Sequence, residues 1–366
     1  MKKTLIAFLF LFLFTSQAFA QSPTSSYVKA KVESVIEEGT KNISGKQNIY
    51  QKISVSILDG ADKGKKLTLD YGGGTLITAQ QKLHPGETVV ITKLSQDKKT
   101  VYVVSDRYRL PGIALFTIIF VACVLVLTGK KGLGSLAGLA ISLFIIVGFI
   151  VPQILSGSDP LFTSILGSLI IMITTLYLAH GFNSKTTIAL VSTFISLVLT
   201  GILAIISVHI SKLYGLGSED AYNLLLGSPT TINLQGLLLG GIIIGALGVL
   251  DDTTTTQSTT VAELAEANPN YTMSMLFQKG MIIGKEHIAS LVNTLVLAYA
   301  GAGIGIFIVI ILSLQNHSQP LWMIFNSELL SEEIVRTLVG SLGLVLAVPI
   351  TTLLASFFAK HEIKIS

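Results

Sequence analysis

The chain lacks most of the features from which a soluble enzyme is read. Charged residues make up 13% of its 366 positions, where soluble domains typically carry about a quarter. It has one cysteine, Cys123, so an intrachain disulfide and a cysteine metal site are excluded. No G-x-x-x-x-G-K-[ST] loop is present, so the chain holds no nucleotide-driven pump. There is no G-x-S-x-G elbow and no H-E-x-x-H pair. No cofactor motif is found, and no cofactor is expected. His180, His209 and His361 fall at predicted helix ends, His317 in a loop and His84 in a turn. An enzyme is the least favoured class.

What the chain has instead is hydrocarbon. Half of its residues are hydrophobic and the mean hydropathy is +0.70. These values define a polytopic membrane protein whose first partner is the lipid bilayer. The formal charge of +4 must be divided by region. Residues 21–108 hold thirteen Lys/Arg and nine Asp/Glu, whereas from Pro111 onward nine Lys/Arg face twelve Asp/Glu. The positive surplus therefore belongs to the front of the chain.

The first twenty residues read as a signal peptide. Lys2 and Lys3 precede an apolar run, Leu5–Phe14, and Ala18 and Ala20 supply the small residues of a cleavage site. An uncleaved anchor is the alternative. Either way, residues after Gln21 are expected outside the cytoplasm. Residues 21–108 alternate in the strand period at 27–35 and 51–58, with further strands at 67–71, 87–92 and 100–104. Five strands in so short a segment suit a small exported β domain, barrel-like and OB-like. Nucleic-acid binding is rejected because the domain is exported and fold alone gives no function.

Seven membrane helices are expected at about 112–129, 133–151, 161–180, 187–209, 234–250, 288–313 and 335–358, each near the ~20 residues of a span. The all-α bundle thus fills 109–366, with a cytoplasmic or re-entrant loop at 251–286. Lys130, Lys131, Lys185, Lys279, Lys285, Lys360 and Lys364 then collect on one side, against Lys212 and Arg336 on the other. That asymmetry puts the C-terminus in the cytoplasm. The openings at Gly129, Asn183 and Gly284 share a lysine followed by small residues, a faint repeat of three hairpins.

Small residues mark the expected helix contacts. Gly241, Gly245 and Gly248 share one face of the fifth helix, and Gly301, Gly303 and Gly305 cluster in the sixth. The fifth helix then runs into Asp251, Asp252 and a series of hydroxyls. Carboxylates near hydrocarbon are costly and mark a candidate site. If helix continues past Leu250, Asp252, Thr256, Thr259 and Glu263 fall on one stripe, with Asp251, Thr255, Ser258 and Ala262 beside it. Asn268-Pro269 would end that helix, and Thr272 would cap a short segment. Glu286, His287 and Asn293 complete the polar set. Oxygen ligands suit a hard cation or a proton relay, but no metal spacing is present. The competing reading is an ordinary cytoplasmic loop.

The chain resembles the YibE/F-like multi-pass membrane proteins. The resemblance rests on Gly245-Ala-Leu-Gly-Val-Leu-Asp-Asp, Ser258, Glu263-Leu264, Asn268-Pro269, Gly280-Met-Ile-Ile-Gly284 and the run from Asn293 to Gly301. Lys131-Gly-Leu and Gly181-Phe-Asn-Ser-Lys185 are also similar. The family pattern has one aspartate where this chain has two, and spacing favours Asp251 as its equivalent. The resemblance implies a bacterial cytoplasmic membrane and no established reaction.

Two functions follow. The leading one is a permease or secondary transporter of a small ion or solute, using Asp251, Asp252, Glu263 and Asn293. The other is a non-transporting scaffold or accessory subunit that binds a protein partner through residues 27–105. Oligomeric state is not legible.

Overall fold

The computed structural model describes residues 25–43, 46–74, 76–96, 99–227, 232–315 and 320–362. The expected signal peptide and His317 lie outside the described residues. The chain divides into two compact units, residues 1–120 and 121–366.

The front unit is a single antiparallel sheet of β1 (Ser25–Ile43), β2 (Lys46–Ile57), β3 (Lys66–Tyr71), β4 (Thr88–Gln96) and β5 (Lys99–Arg107). Its order is β3-β2-β1-β4-β5. The long first strand serves two partners. Residues 25–31 pair with β4, and residues 30–43 pair with β2. Register shifts at Val32/Ser34 and Val35/Glu37 bend it between them, as bulges do. The result is a half-barrel whose edge strands β3 and β5 approach without pairing, in keeping with the small barrel read from the strand pattern. Alternate residues fill its inside, among them Ala30, Val32, Ile53, Val55, Val89 and Ile91. Buried Gln51 accepts from the Leu83 amide at 2.8 Å and donates to the Leu83 carbonyl at 3.2 Å, fixing the loop before β4.

The rest of the described chain, from Leu110 on, is helical. Its main elements are α1 (Leu110–Thr128), α2 (Lys130–Leu155), α3 (Pro160–His180), α4 (Ser184–Ile210), α5 (Glu219–Gly227), α6 (Leu234–Ala267), α7 (Met273–Ala302), α8 (Ile304–Gln315), α9 (Leu321–Phe325) and α10 (Glu328–Glu362). Among the described residues seven helices are long and apolar enough to cross a membrane: α1, α2, α3, α4, α6, α7 and α10. One turn of α2, Ile146–Ile150, is π-helical. Leu176, Leu197, Ile243, Leu247, Leu250 and Ala347 form the apolar centre where α3, α4, α6 and α10 meet.

Two expectations are corrected. The loop at 251–286 is helix except for its turn: α6 continues to Ala267 and α7 begins at Met273. The sixth span is 273–302, earlier than the expected 288–313, and it stops at Gly303 before the separate α8. Lys279, Lys285 and Glu286 make the first half of α7 look like loop. Leu276, Gly280 and Gly284 nevertheless bury one side of it. The Thr272 side chain accepts from the Met275 amide at 3.2 Å. It caps this 30-residue helix and not a short segment.

Candidate functional site

Helix α6 is the organising element. Asn233 caps its start by accepting the Gly236 amide at 3.0 Å, and Asn268 with Pro269 ends it. A run of β-branched threonines is a poor helix former. Two of them compensate by donating to carbonyls one turn back, Thr253 to Val249 at 2.7 Å and Thr260 to Thr256 at 2.8 Å. Others fasten α6 to its neighbours. Thr254 meets Thr193 of α4 at 2.6 Å, and the Ser258 hydroxyl donates to the Lys185 carbonyl at 2.8 Å. Gln257 Nε2 donates to the Gly280 carbonyl of α7 at 2.9 Å and to Thr352 Oγ1 of α10 at 2.7 Å. These three side chains and their partners Thr193 and Thr352 are buried. Tertiary contacts override the weak local propensity.

The opposite side of α6 is open. Gly241 is half-buried, and Gly245, Gly248, Asp252, Thr256, Thr259 and Glu263 are exposed. Their spacing of four, three, four, four, three and four residues puts all seven on one stripe. No large apolar side chain of α6 is exposed along its length. By contrast, α1 exposes Phe116, Ile118, Phe120, Val126 and Leu127, as a lipid-facing helix does. At the glycine end, a β-carbon on Gly241 would come within 3.4 Å of Arg336 Nη1, and one on Gly245 within 3.6 Å of the Tyr299 hydroxyl.

At its other end the stripe enters a groove of about 780 Å³. Lys131, His180, Thr255, Thr256, Thr259, Thr260, Glu263 and Ile283 line it. The Glu263 carboxylate is held by Lys185 Nζ at 2.9 Å, and Glu266 lies at the same distance from that ammonium. Asp251 flanks the stripe, half-buried. Its Oδ1 and the Thr255 Oγ1 are buried without a hydrogen-bond partner. From Asp251 to the Ser258–Lys185 contact is seven residues, about 10 Å along a helix axis. Asp251 therefore lies two turns inside the level at which α4 begins.

The structure divides the expected site. Asp251, Asp252 and Glu263 lie along one side of α6. Ser258 shares the flank of Asp251 and Thr255 but serves as a fastener, donating to the Lys185 carbonyl. Glu286 and Asn293 are exposed on α7, His287 is half-buried there, and none of the three lines the groove. Among the described residues no three His, Cys, Asp or Glu side chains gather as a metal ion would require. The close helix contacts also fall elsewhere than expected. A β-carbon on Gly248, Gly301 or Gly305 would meet nothing within 4 Å, and one on Gly303 only its own chain. The tight glycines are Gly240 against Ser164, Gly343 against Thr200, Gly280 against Thr352 and Val261, and Gly284 against Val348 and Gln257.

Lys131, His180 and Gln257 escaped the sequence reading. The first two read as interface charges, and a glutamine among threonines carries no signal of burial. At the other end of the bundle α10 grips the turn after α4. Glu328 accepts from the Tyr214 amide at 2.6 Å, and buried Glu332 accepts from the Gly217 amide at 2.9 Å.

Fold and site together define a multi-pass membrane protein in which one long helix, α6, carries an exposed stripe of glycine, hydroxyl and carboxylate residues. The model of the YibE/F-like protein family matches residues 116–361, and the chain belongs to that family. No curated protein and no solved structure matches the chain.

Proposed function

We propose that this protein is a permease or secondary transporter of a small ion or solute, with α6 as one wall of the path. The observation that carries the reading is the open stripe. A helix side facing lipid gains nothing from glycine, aspartate and threonine, and an exposed charge in hydrocarbon is costly. A side facing water or a solute is served by these residues. Glycines leave room at one end, hydroxyls supply hydrogen bonds at the other, and Asp252 sits between them. Lys131, Lys185 and His180 at the hydroxyl end support a cytoplasmic orientation of that end in a bacterial inner membrane, with the β domain outside. Labelling of a cysteine at position 185 from outside would reverse the orientation.

In proteoliposomes, Asp251→Asn together with Asp252→Asn should abolish flux while thermal unfolding in detergent stays unchanged. Wild-type protein that carries nothing across a panel of ions and pH gradients would sink the reading, as would undiminished flux in the double variant.

A scaffold role rests on a separate observation. Ile36 and Val103 are exposed beside a depression on the β half-barrel that also includes Lys52, Asp70 and Tyr102. Deleting residues 27–105 should then release a stoichiometric partner on purification.

A further inference from the structure

The buried and half-buried polar side chains of α6 itself follow a rule with two exceptions. Thr253, Thr254, Gln257, Ser258 and Thr260 each have a hydrogen bond. Asp251 Oδ1 and Thr255 Oγ1 have none, and both atoms are buried. The two residues are one turn apart on the same flank of α6, where side chains are neighbours at about 5–6 Å between β-carbons. Thr255 opens onto the groove, and Asp251 lies one turn deeper. A carboxylate with an enclosed, unpaired oxygen beside an unpaired hydroxyl is a costly arrangement, and a positive charge bound by both relieves it.

The surroundings limit what that charge is. Asp252 lies next to Asp251 on α6, while His180 from α3 and Lys131 from α2 line the groove. At this level α4 presents Leu197 and Thr193, and α10 presents Ala347. Lys185 is engaged by Glu263 and Glu266, so it does not neutralise Asp251. A divalent ion calls for several carboxylates, and no such group gathers among the described residues. One carboxylate and one hydroxyl beside a hydrated groove fit a single positive charge.

We propose that Asp251 and Thr255 form a binding site for one monovalent positive charge, either a proton or a partly hydrated alkali cation, which acts as the coupling ion of the transporter. The coupling role rests on the transport reading; the site itself does not. With a proton, Asp251 donates to Thr255 and both orphan atoms are satisfied. With sodium or potassium, the two oxygens replace part of the ion's hydration shell and groove water supplies the rest. In either case occupancy neutralises the carboxylate beside the apolar cluster of Leu250, Leu176 and Ala347.

The test needs no flux. Dicyclohexylcarbodiimide reacts with protonated carboxyls in apolar surroundings, and mass spectrometry locates the adduct. Full-length protein in detergent should be labelled at Asp251 in preference to exposed Asp252. If the ligand is a proton, yield falls as pH rises and is indifferent to sodium or potassium chloride. If it is an alkali cation, one of those salts suppresses labelling where choline chloride of equal strength does not. Thr255→Val should shift the pH midpoint or raise the protecting salt concentration about tenfold, the size of one lost hydrogen bond to a charged group. No adduct at Asp251 under any of these conditions overturns the proposal, and so does an adduct that neither pH nor salt alters. Labelling without flux keeps the ion site and removes transport. Flux without labelling does the reverse.

Discussion

On the side of α6 toward α4 and α10, Thr254 meets Thr193, Ser258 meets the Lys185 carbonyl, and Gln257 reaches two helices at once. On the flank that also bears Ser258, Asp251 Oδ1 and Thr255 Oγ1 carry the same oxygen chemistry and meet no partner. The fasteners are fully buried, and Asp251 and Thr255 are half-buried with one oxygen each closed off. Satisfaction separates fastener from candidate site: each fastener has a partner, and the two enclosed oxygens have none. A satisfied polar group inside a membrane bundle binds helices together, at about 1 kcal/mol each. An unsatisfied one is a standing cost that an ion, a proton or a substrate can relieve. The same flank shows both outcomes because its neighbours change along its length: Ser258 reaches the start of α4, and Asp251 lies two turns deeper.

The largest way to break this comparison is at Gln257. Gln257→Ala removes two buried hydrogen bonds and leaves a cavity against Gly280 and Gly284, at a cost of about 3 kcal/mol. Thermal unfolding in detergent should fall accordingly, whether or not an ion is present. Stability equal to wild type would mean that the three-helix junction is not held there.

A smaller effect is expected at the ion triplet. Lys185→Gln frees Glu263 and Glu266, all three side chains being partly exposed. The cost should be under about 1 kcal/mol and should shrink further with added salt. A loss larger than that of Gln257→Ala would invert the ranking.

The smallest effect belongs to the β half-barrel, where a carboxylate is satisfied in the open. Asp62 accepts from Lys93 Nζ at 2.6 Å and from the Tyr102 hydroxyl at 3.0 Å, joining the turn before β3 to β4 and β5. The Lys93 bond, then the Tyr102 bond, hold its carboxyl below the ordinary value of 3.8. Its proton is thus bound less readily in the folded state than in the unfolded. The stabilisation is present in full above that ordinary value and is lost as pH falls through the lower folded one. Amide exchange in β3 and β5 should quicken over that acid window, and Lys93→Met should weaken the dependence, with the Tyr102 bond left to carry the remainder.

Much of this architecture is written in the sequence. Six of the seven apolar stretches and the five alternating ones locate the spans and the strands, because hydrocarbon thickness and the pleat impose periods that composition must obey; the sixth span begins at Met273, ahead of its expected start at 288. The stripe from Asp252 to Glu263 is legible for the same reason once helix is assumed. What hides is the assumption itself. Thr253 to Thr260 and Lys279 to His287 look like loop to any local measure, and they are helical through contacts with residues up to 95 positions away, such as Gln257 with Thr352. The glycines mislead in a related way. Gly301, Gly303 and Gly305 have the spacing of a packing motif, whereas Gly240, Gly280 and Gly284 have the neighbours. Spacing selects a face, and only the fold decides what stands opposite it.

The central claim is that the open stripe of α6 lines a water-filled path. Its direct test is a cysteine scan at positions 241, 245, 248, 252, 256, 259 and 263, in full-length protein with the exposed Cys123 replaced by alanine. A membrane-impermeant thiol reagent should label the stripe from position 263 through 252 and on to the glycine positions. Positions 118 and 126 on lipid-facing α1 should stay unreactive. Labelling that stops at 256, or glycine positions no more reactive than those of α1, would contradict the path and leave α6 a structural helix with a polar end.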